Sequence, residues 1–331
     1  MLGAVDVGAA LVDGLRDTVG IAACVYALAS IGLNVQFGFA GLLNFGHIAS
    51  GLVGAYGLAI AVNEGLSFWV GVLIGVVAAG LLGLLLGLPT LRLRADYLAI
   101  ATISAAEILR VVANSARLES LTGGPTGIKD IADDFYAVNP YSEGRYGWGS
   151  FSFNQNTLWA MTVGWTLVVL ATLLVWRLSR GPWGRLIRAM REDEEAARSL
   201  GKHVFGLKLQ AFVLGSLIGG FAGMLFVLDG GFVQPGFFGS QTTFNWYLII
   251  ILGGVGTVLG PPVGAMLYWF IVSVFNSVLT QAVGSDGWWV IESTDTGAVR
   301  FVFVGFAIVL LLVFRPQGLF GNKDQVLIGE R

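Results

Sequence analysis

Arg191-Glu192-Asp193-Glu194-Glu195-Ala196-Ala197-Arg198-Ser199-Leu200-Gly201 sets six charged side chains into eleven residues, between two long apolar stretches. Only 12% of the 331 residues are charged, against about 25% in an average globular chain. Such an island must lie in water while its flanks do not. The flanks set the fold class: 55% of residues are hydrophobic and the mean hydropathy is +0.76. Several apolar runs reach the roughly 20 residues a helix needs to cross a bilayer. The chain reads as all-α, a polytopic transmembrane helix bundle forming one domain over residues 1–331.

Hydropathy places about nine spans, at residues 18–37, 46–62, 68–88, 96–113, 157–176, 207–228, 244–259, 262–280 and 298–314. From Arg177 to Lys208 lie eight basic residues, and the bias of Lys and Arg toward the inner face puts that stretch in the cytoplasm. Counting spans outward places Arg92, Arg94 and a tail with Arg315, Lys323 and Arg331 inside as well. The 114–156 loop falls outside. So does 281–297, with Asp286, Glu292 and Asp295 and no Lys or Arg. The N-terminus is expected outside and the C-terminus in the cytoplasm. Met1 to Arg16 contains Asp6 and Asp13 and lacks the basic start of a cleavable signal, so the first span is expected near Thr18. The 114–156 loop, with Gly-Pro, Asn-Pro and several aromatic residues, reads either as a flexible connection or as a partly ordered cap offering aromatic surface to an external partner. The single cysteine, Cys24, excludes an intramolecular disulfide.

Within the 179–206 loop, residues 185–200 read as one helix. Gly181-Pro182 breaks the preceding span and Gly201 is placed as a C-terminal stop. Glu194 and Arg198 stand at i, i+4, and Glu195 and Arg198 at i, i+3. Leu186, Ile187, Met190, Ala197 and Leu200 form a modest apolar side. So short a helix is marginal alone in water. It reads either as a solvated loop helix satisfying the charge rule, or as a docking helix whose two alanines and glycine leave room for a partner.

Glu195-Ala196-Ala197 with Gly201 resembles the Glu-Ala-Ala…Gly loop of ABC-importer permeases. The Ile-x-Leu-Pro ending of the broader motif is absent, since Ala211-Phe212-Val213-Leu214 stands there. Six further pieces are similar, in order, to the branched-chain amino acid permeases. These are Gly32-Leu33-Asn34-Val35-Gln36-Phe37-Gly38 with Ala40 through His47; Gly54-Ala55-Tyr56; Leu91-Arg92-Leu93-Arg94-Ala95-Asp96-Tyr97; Leu121-Thr122-Gly123-Gly124-Pro125-Thr126-Gly127-Ile128; Leu252-Gly253-Gly254-Val255-Gly256-Thr257 with Gly260-Pro261; and Phe314-Arg315-Pro316-Gln317-Gly318-Leu319. The resemblance implies a permease subunit of an ATP-driven importer for branched-chain amino acids, in a bacterial or archaeal plasma membrane. It implies a second related permease, two ATP-binding subunits, and a periplasmic or lipid-anchored binding protein that delivers the small-molecule substrate. It gives Glu195, Ala196, Ala197 and Gly201 the role of coupling to the ATPase. The same machine carrying urea, amides, other amino acids or sugars is the nearest rival, and an ion-coupled secondary transporter is a rival of another class.

No Gly-x4-Gly-Lys-Ser/Thr occurs, and no lysine precedes Ser or Thr, so the chain lacks a P-loop for ATP. There is no Gly-x-Ser-x-Gly elbow, and the two histidines, His47 and His203, are far apart. The expectation is no enzyme activity of its own, no cofactor, no metal and no nucleic-acid partner. Polar residues inside a membrane are costly. Asn34, Gln36, Asn44 and His47 therefore stand as candidates for the substrate pathway, with a histidine simply hydrogen-bonded to a neighbouring helix as the alternative. Glu107 is a further candidate, with a local ion pair to Arg110 as its alternative. Two glycine-rich interruptions, 38–46 and 253–264, resemble the broken helices that border transport paths. Gly215, Gly219 and Gly223, at four-residue spacing, read as helix packing.

Overall fold

The computed structural model describes residues 6–149, 151–283, 302, 305–306 and 317–321. Helix α1 (Val7–Val19) starts where the Asp6 carboxylate accepts the Ala9 N–H at 3.0 Å. Gly20, in extended conformation, separates it from α2 (Ile21–Asn34), which runs on into a π-helical turn at Val35–Phe39. Then come α3 (Ile48–Asn63), α4 (Phe68–Thr90) and α5 (Ala95–Ala113). The short helices α6 (Glu119–Thr122) and α7 (Asp133–Ala137) precede a hairpin of β1 (Arg145–Trp148) and β2 (Phe151–Asn154), antiparallel with Tyr146 opposite Phe153. The chain continues through α8 (Gln155–Arg180), α9 (Pro182–Glu192), α10 (Glu194–Ser199), α11 (Val204–Gly230), α12 (Gln241–Gly253) and α13 (Gly260–Val283).

Five helical segments are long and apolar enough to cross a membrane: Ile21–Phe39, Phe68–Thr90, Gln155–Arg180, Val204–Gly230 and Gly260–Gln281. Helix α5 joins them if its continuation, bent by 60° at the 114–115 break, counts as part of the same span. The apolar α3 is shorter, at 16 residues. The protein is a multi-pass membrane protein, mostly helical with little sheet.

Two expected spans differ in the structure. Residues 244–259 are not one helix: α12 ends at Gly253, and Gly254 adopts φ +116°, outside the helical region. Its 13 residues reach about 20 Å, short of the roughly 30 Å hydrocarbon core. The first span begins at Ile21 and not near Thr18, because Gly20 breaks the helix and leaves α1 as a separate element packed on α13. The expected ninth span at 298–314, the loop beyond Val283, Arg300, and the tail residues Arg315, Lys323 and Arg331 lie outside the described residues.

The core is the meeting of α2, α3, α4 and α11. Glycine makes it possible: a Cβ on Gly223 would stand 2.0 Å from the Gly51 carbonyl oxygen, and one on Gly54 2.6 Å from that of Gly220. Lipid tails are as apolar as leucine, so helices in a membrane associate through such close backbone approach.

At one end of the bundle the 114–154 region folds into a cap. Ile131 and Phe135 are buried, with the Phe135 ring 5.8 Å from Trp159 and 5.6 Å from Phe68. Ile128 and Val233 exchange backbone hydrogen bonds at 2.9 Å each, and Tyr136 donates to the Leu228 carbonyl at 2.9 Å. Burial, with a smaller effect from Asp229, pushes the Tyr136 phenol up to about 12. Trp148, near the hairpin tip, is 93% exposed. The charged island lies at the opposite end, reached through the C-terminus of α8 and left through the N-terminus of α11.

Candidate functional site

The island is two helices and not one. At Asp193 the backbone turns extended (φ −149°, ψ 102°), and the Asp193 carboxylate accepts the Ala196 N–H at 2.9 Å. Asp is among the better N-caps and a middling interior residue, so this carboxylate satisfies an orphan donor and opens a new helix. Glu194 and Glu195 occupy the first turn of α10 and Arg198 the last, each sign at the end the helix dipole favours. Gly201 stops it as expected, at φ +72°, a left-handed conformation natural to glycine.

Two contacts fix α10 to the body of the bundle. Glu194 accepts from Arg198 at 2.9 Å and from Lys208 of α11 at 2.5 Å, and Ala197 turns inward and is buried. Glu195, Ala196 and Gly201 are exposed. Leu200, expected on the apolar side, is 77% exposed, because the break at Asp193 rotates α10 away from the face that buries Ile187 and Met190. A Cβ on Gly201 would meet no heavy atom within 4 Å.

Arg191, which in the sequence only adds to the basic count, reaches into the bundle. Its guanidinium Nη1 donates to the Gly38 carbonyl. Its Cγ lies 3.1 Å from where a Gly41 Cβ would be, and its Nη1 3.2 Å from the same position at Gly256. Burial lowers its pKa from the ordinary arginine value, yet a guanidinium stays charged at any physiological pH. The last turn of α9 is thus bonded to the first glycine-rich break and touches the second.

The two breaks are also joined from within. Asn34 donates Nδ2 to the Thr257 carbonyl at 2.8 Å and accepts the Gly256 N–H at 3.0 Å. Gln36 donates to the Phe212 carbonyl of α11 at 2.8 Å and accepts from Asn44 Nδ2 at 2.8 Å. Asn44 in turn accepts the Gly46 N–H at 3.1 Å. Each amide works as both donor and acceptor, and Asn34 does so on backbone that left its helix. Where a helix breaks at membrane depth, the freed groups must find protein partners, and three side-chain amides beside two glycine runs are the sequence signal of that need. Leu319 and Phe320 add N–H bonds at 3.0 Å to the carbonyls of Leu252 and Gly253.

His47 is fully buried. Its ring lies edge-on to Trp246 at 5.7 Å, and its Nε2 is 2.9 Å from where a Gly219 Cβ would stand. Asn34, Gln36, Asn44 and His47 therefore come together around the first break. Glu107 stands apart on α5, its carboxylate holding Arg110 Nε at 3.1 Å from both oxygens, and is only partly covered. Among the described residues no group of three His, Cys, Asp or Glu side chains is arranged to hold a metal.

Comparison with known proteins agrees with this architecture. The family model described as "Branched-chain amino acid transport system / permease component" matches residues 16–314. The high-affinity branched-chain amino acid transport system permease protein LivM of Escherichia coli (strain K12) is 35% identical over 319 residues, covering 92% of this chain and 70% of that protein. LivM of Salmonella typhimurium is 33% identical over 306 residues, covering 89% and 67%. The probable LivM of Methanocaldococcus jannaschii is 25% identical over 341 residues, covering 90% and 91%. A multi-pass apolar bundle, matched along most of its length and bearing one capped, charged helix at its end, leaves one assignment: the chain belongs to the family of permease components of branched-chain amino acid transport systems.

Proposed function

We propose that this chain is one of two related membrane subunits of an ATP-driven importer, and that its cargo is the branched-chain amino acids named for its relatives. The whole of 1–331 acts as one transmembrane domain of nine crossings, N-terminus outside and C-terminus in the cytoplasm of a bacterial or archaeal cell. The short helices α3 and α12 cross with the help of the glycine-rich breaks. An external binding protein delivers substrate at the capped end. Two ATP-binding subunits dock beneath, one against α10 and one against its counterpart on the second permease.

One observation carries the coupling role: α10 is anchored yet faces outward. Ala197 and the Glu194–Lys208 pair fasten it, while Glu195, Ala196, Leu200 and Gly201 are left free to meet another protein. Force on α10 has a bonded route inward through Arg191 to Gly38, and from there through Asn34 to Gly256 and Thr257. Asn34, Gln36 and Asn44 act in this reading by holding the moving breaks together, and His47, buried against Trp246, borders the substrate pathway. The reconstituted assembly tests it. Ala196→Trp should leave insertion and ATP binding intact and abolish uptake. Uptake that persists in the absence of any ATPase subunit would overturn the reading.

A further inference from the structure

At the capped end of the bundle, α1, α8, α11 and α13 enclose a cavity of about 220 Å³, lined by Arg16, Asp17, Phe153, Thr157, Asp229 and Trp269 among others. It opens into a second polar hollow that shares Arg16 and Asp17 and adds Asp13, Ser273 and Ser277. Opposite charges share this wall without pairing. The ion pairs among the described residues are Glu107–Arg110, Glu194–Arg198 and Glu194–Lys208, and none involves Arg16, Asp17 or Asp229. Asp17 accepts one bond, from Ser273 Oγ at 2.7 Å. The Arg16 guanidinium lies 5.8 Å from the Phe153 ring centre. Its Nε is shielded from solvent and has no acceptor, and the same holds for Nε1 of Trp269.

Buried N–H groups are nearly always paired in folded proteins, and leaving one unpaired is costly. Two such donors lining one cavity, with two carboxylates in the same wall, suit a ligand that carries an acceptor anion and a donor cation together. The cavity also has an apolar wall of Ile21, Ala22, Phe153 and Trp269. The Trp269 ring meets Tyr26 edge-on at 5.2 Å, and Tyr26 meets Trp246 at 6.3 Å. A separate hollow lined by Tyr26, Trp246 and Phe226 offers only about 10 Å³, room for no more than a single water.

We propose that the cavity is an outer subsite for the zwitterionic head group of an apolar amino acid. Arg16 and the Trp269 indole take the carboxylate, Asp17 and Asp229 take the ammonium, and the aliphatic side chain rests on the Trp269 and Phe153 rings. The inference rests on the amino-acid cargo proposed above.

The test uses the assembled transporter carrying Thr157→Cys, labelled from outside with a membrane-impermeant maleimide; native Cys24 is buried. L-leucine should slow labelling by about tenfold near saturation. The amine 3-methylbutylamine and the acid 4-methylpentanoate should not slow it. Arg16→Gln or Asp229→Asn added to Thr157→Cys should weaken protection, taken relative to each variant's own unliganded labelling rate, by about tenfold, the loss expected for one charge-assisted contact. Equal protection by the amine or by the acid would overturn the zwitterion assignment in favour of a simple cation or anion site, and undiminished protection in Arg16→Gln would overturn it for Arg16. Leucine uptake by the wild-type assembly is measured alongside. If that uptake is absent the cargo reading fails; if it is present without protection, the subsite alone fails.

Discussion

The cap at residues 114–154 and the charged island at 182–201 are both polar excursions from an apolar bundle, and they are built in opposite ways. The cap turns Ile128, Ile131 and Phe135 inward and locks its backbone. Phe135 sits between Trp159 and Phe68, Ile128 pairs with Val233, and Tyr136 reaches Leu228. The island closes its own helix ends with Asp193 and Gly201, and its α10 commits only Ala197 and Glu194 to the bundle. It leaves Ala196 and Leu200 bare. A region that completes itself is suited to covering something, and a region that stops short is suited to receiving something.

The sharpest way to break the comparison is on the island. Glu195→Lys with Gly201→Trp should abolish uptake while leaving membrane insertion intact; both positions are exposed, and the side chain placed at the φ +72° of Gly201 should itself cost only about 1–2 kcal/mol of stability. If uptake survives, α10 is a solvated turn and the contrast with the cap disappears. On the cap, Phe135→Ala should cost about 3–5 kcal/mol, the usual loss for a buried phenylalanine, seen as a lower midpoint in thermal unfolding of the detergent-solubilised protein. Between the two ends, Asn34→Ala strands the Gly256 N–H and the Thr257 carbonyl, at about 1–3 kcal/mol for each group that stays unpaired. It should therefore lower both stability and uptake, and unchanged values of both would remove the clamp from the coupling route. Lys208→Gln deletes a partly exposed partner of Glu194 and should cost about 0.5–1 kcal/mol, with uptake falling more than stability if the pair holds α10 in place. The smallest effect is Trp148→Ala. At 93% exposure it should change stability by less than about 0.5 kcal/mol, so any loss of binding-protein-dependent uptake would mark the hairpin tip as a contact for an outside partner.

Most of the bundle was legible from hydropathy, because a helix that must satisfy its own backbone in lipid leaves an apolar run of fixed length. The failures have local causes. Residues 244–259 carry enough apolar side chains for a span, but Gly253-Gly254 frees the backbone from the helix there, and hydropathy does not weigh backbone freedom. The charged run was read as continuous because its pattern suits a helix throughout. Asp193 interrupts it by competing for the Ala196 N–H, a contest that charge counting does not register. Residues 7–19 hold too many charges to read as a span. They become a helix by laying Ala10 and Gly14 against α13 and bonding Asp13 and Asp17 to Ser277 and Ser273.

From composition and order alone came the membrane class, the expected inner face and the missing P-loop, because charge, apolar length and motif spacing are local properties of a chain; the choice of Glu195, Ala196, Ala197 and Gly201 came from the resemblance of that spacing to the ABC-importer permeases. Tertiary structure alone decided that Ala197 faces in while Ala196 faces out, that Asn34 binds Gly256 and Thr257 from 222 and 223 residues away, and that Arg191 reaches Gly38 across 153. A buried amide or a part-buried guanidinium announces only that it needs partners. Which backbone groups answer depends on where two separate glycine runs leave their helices, and that is settled when the helices pack.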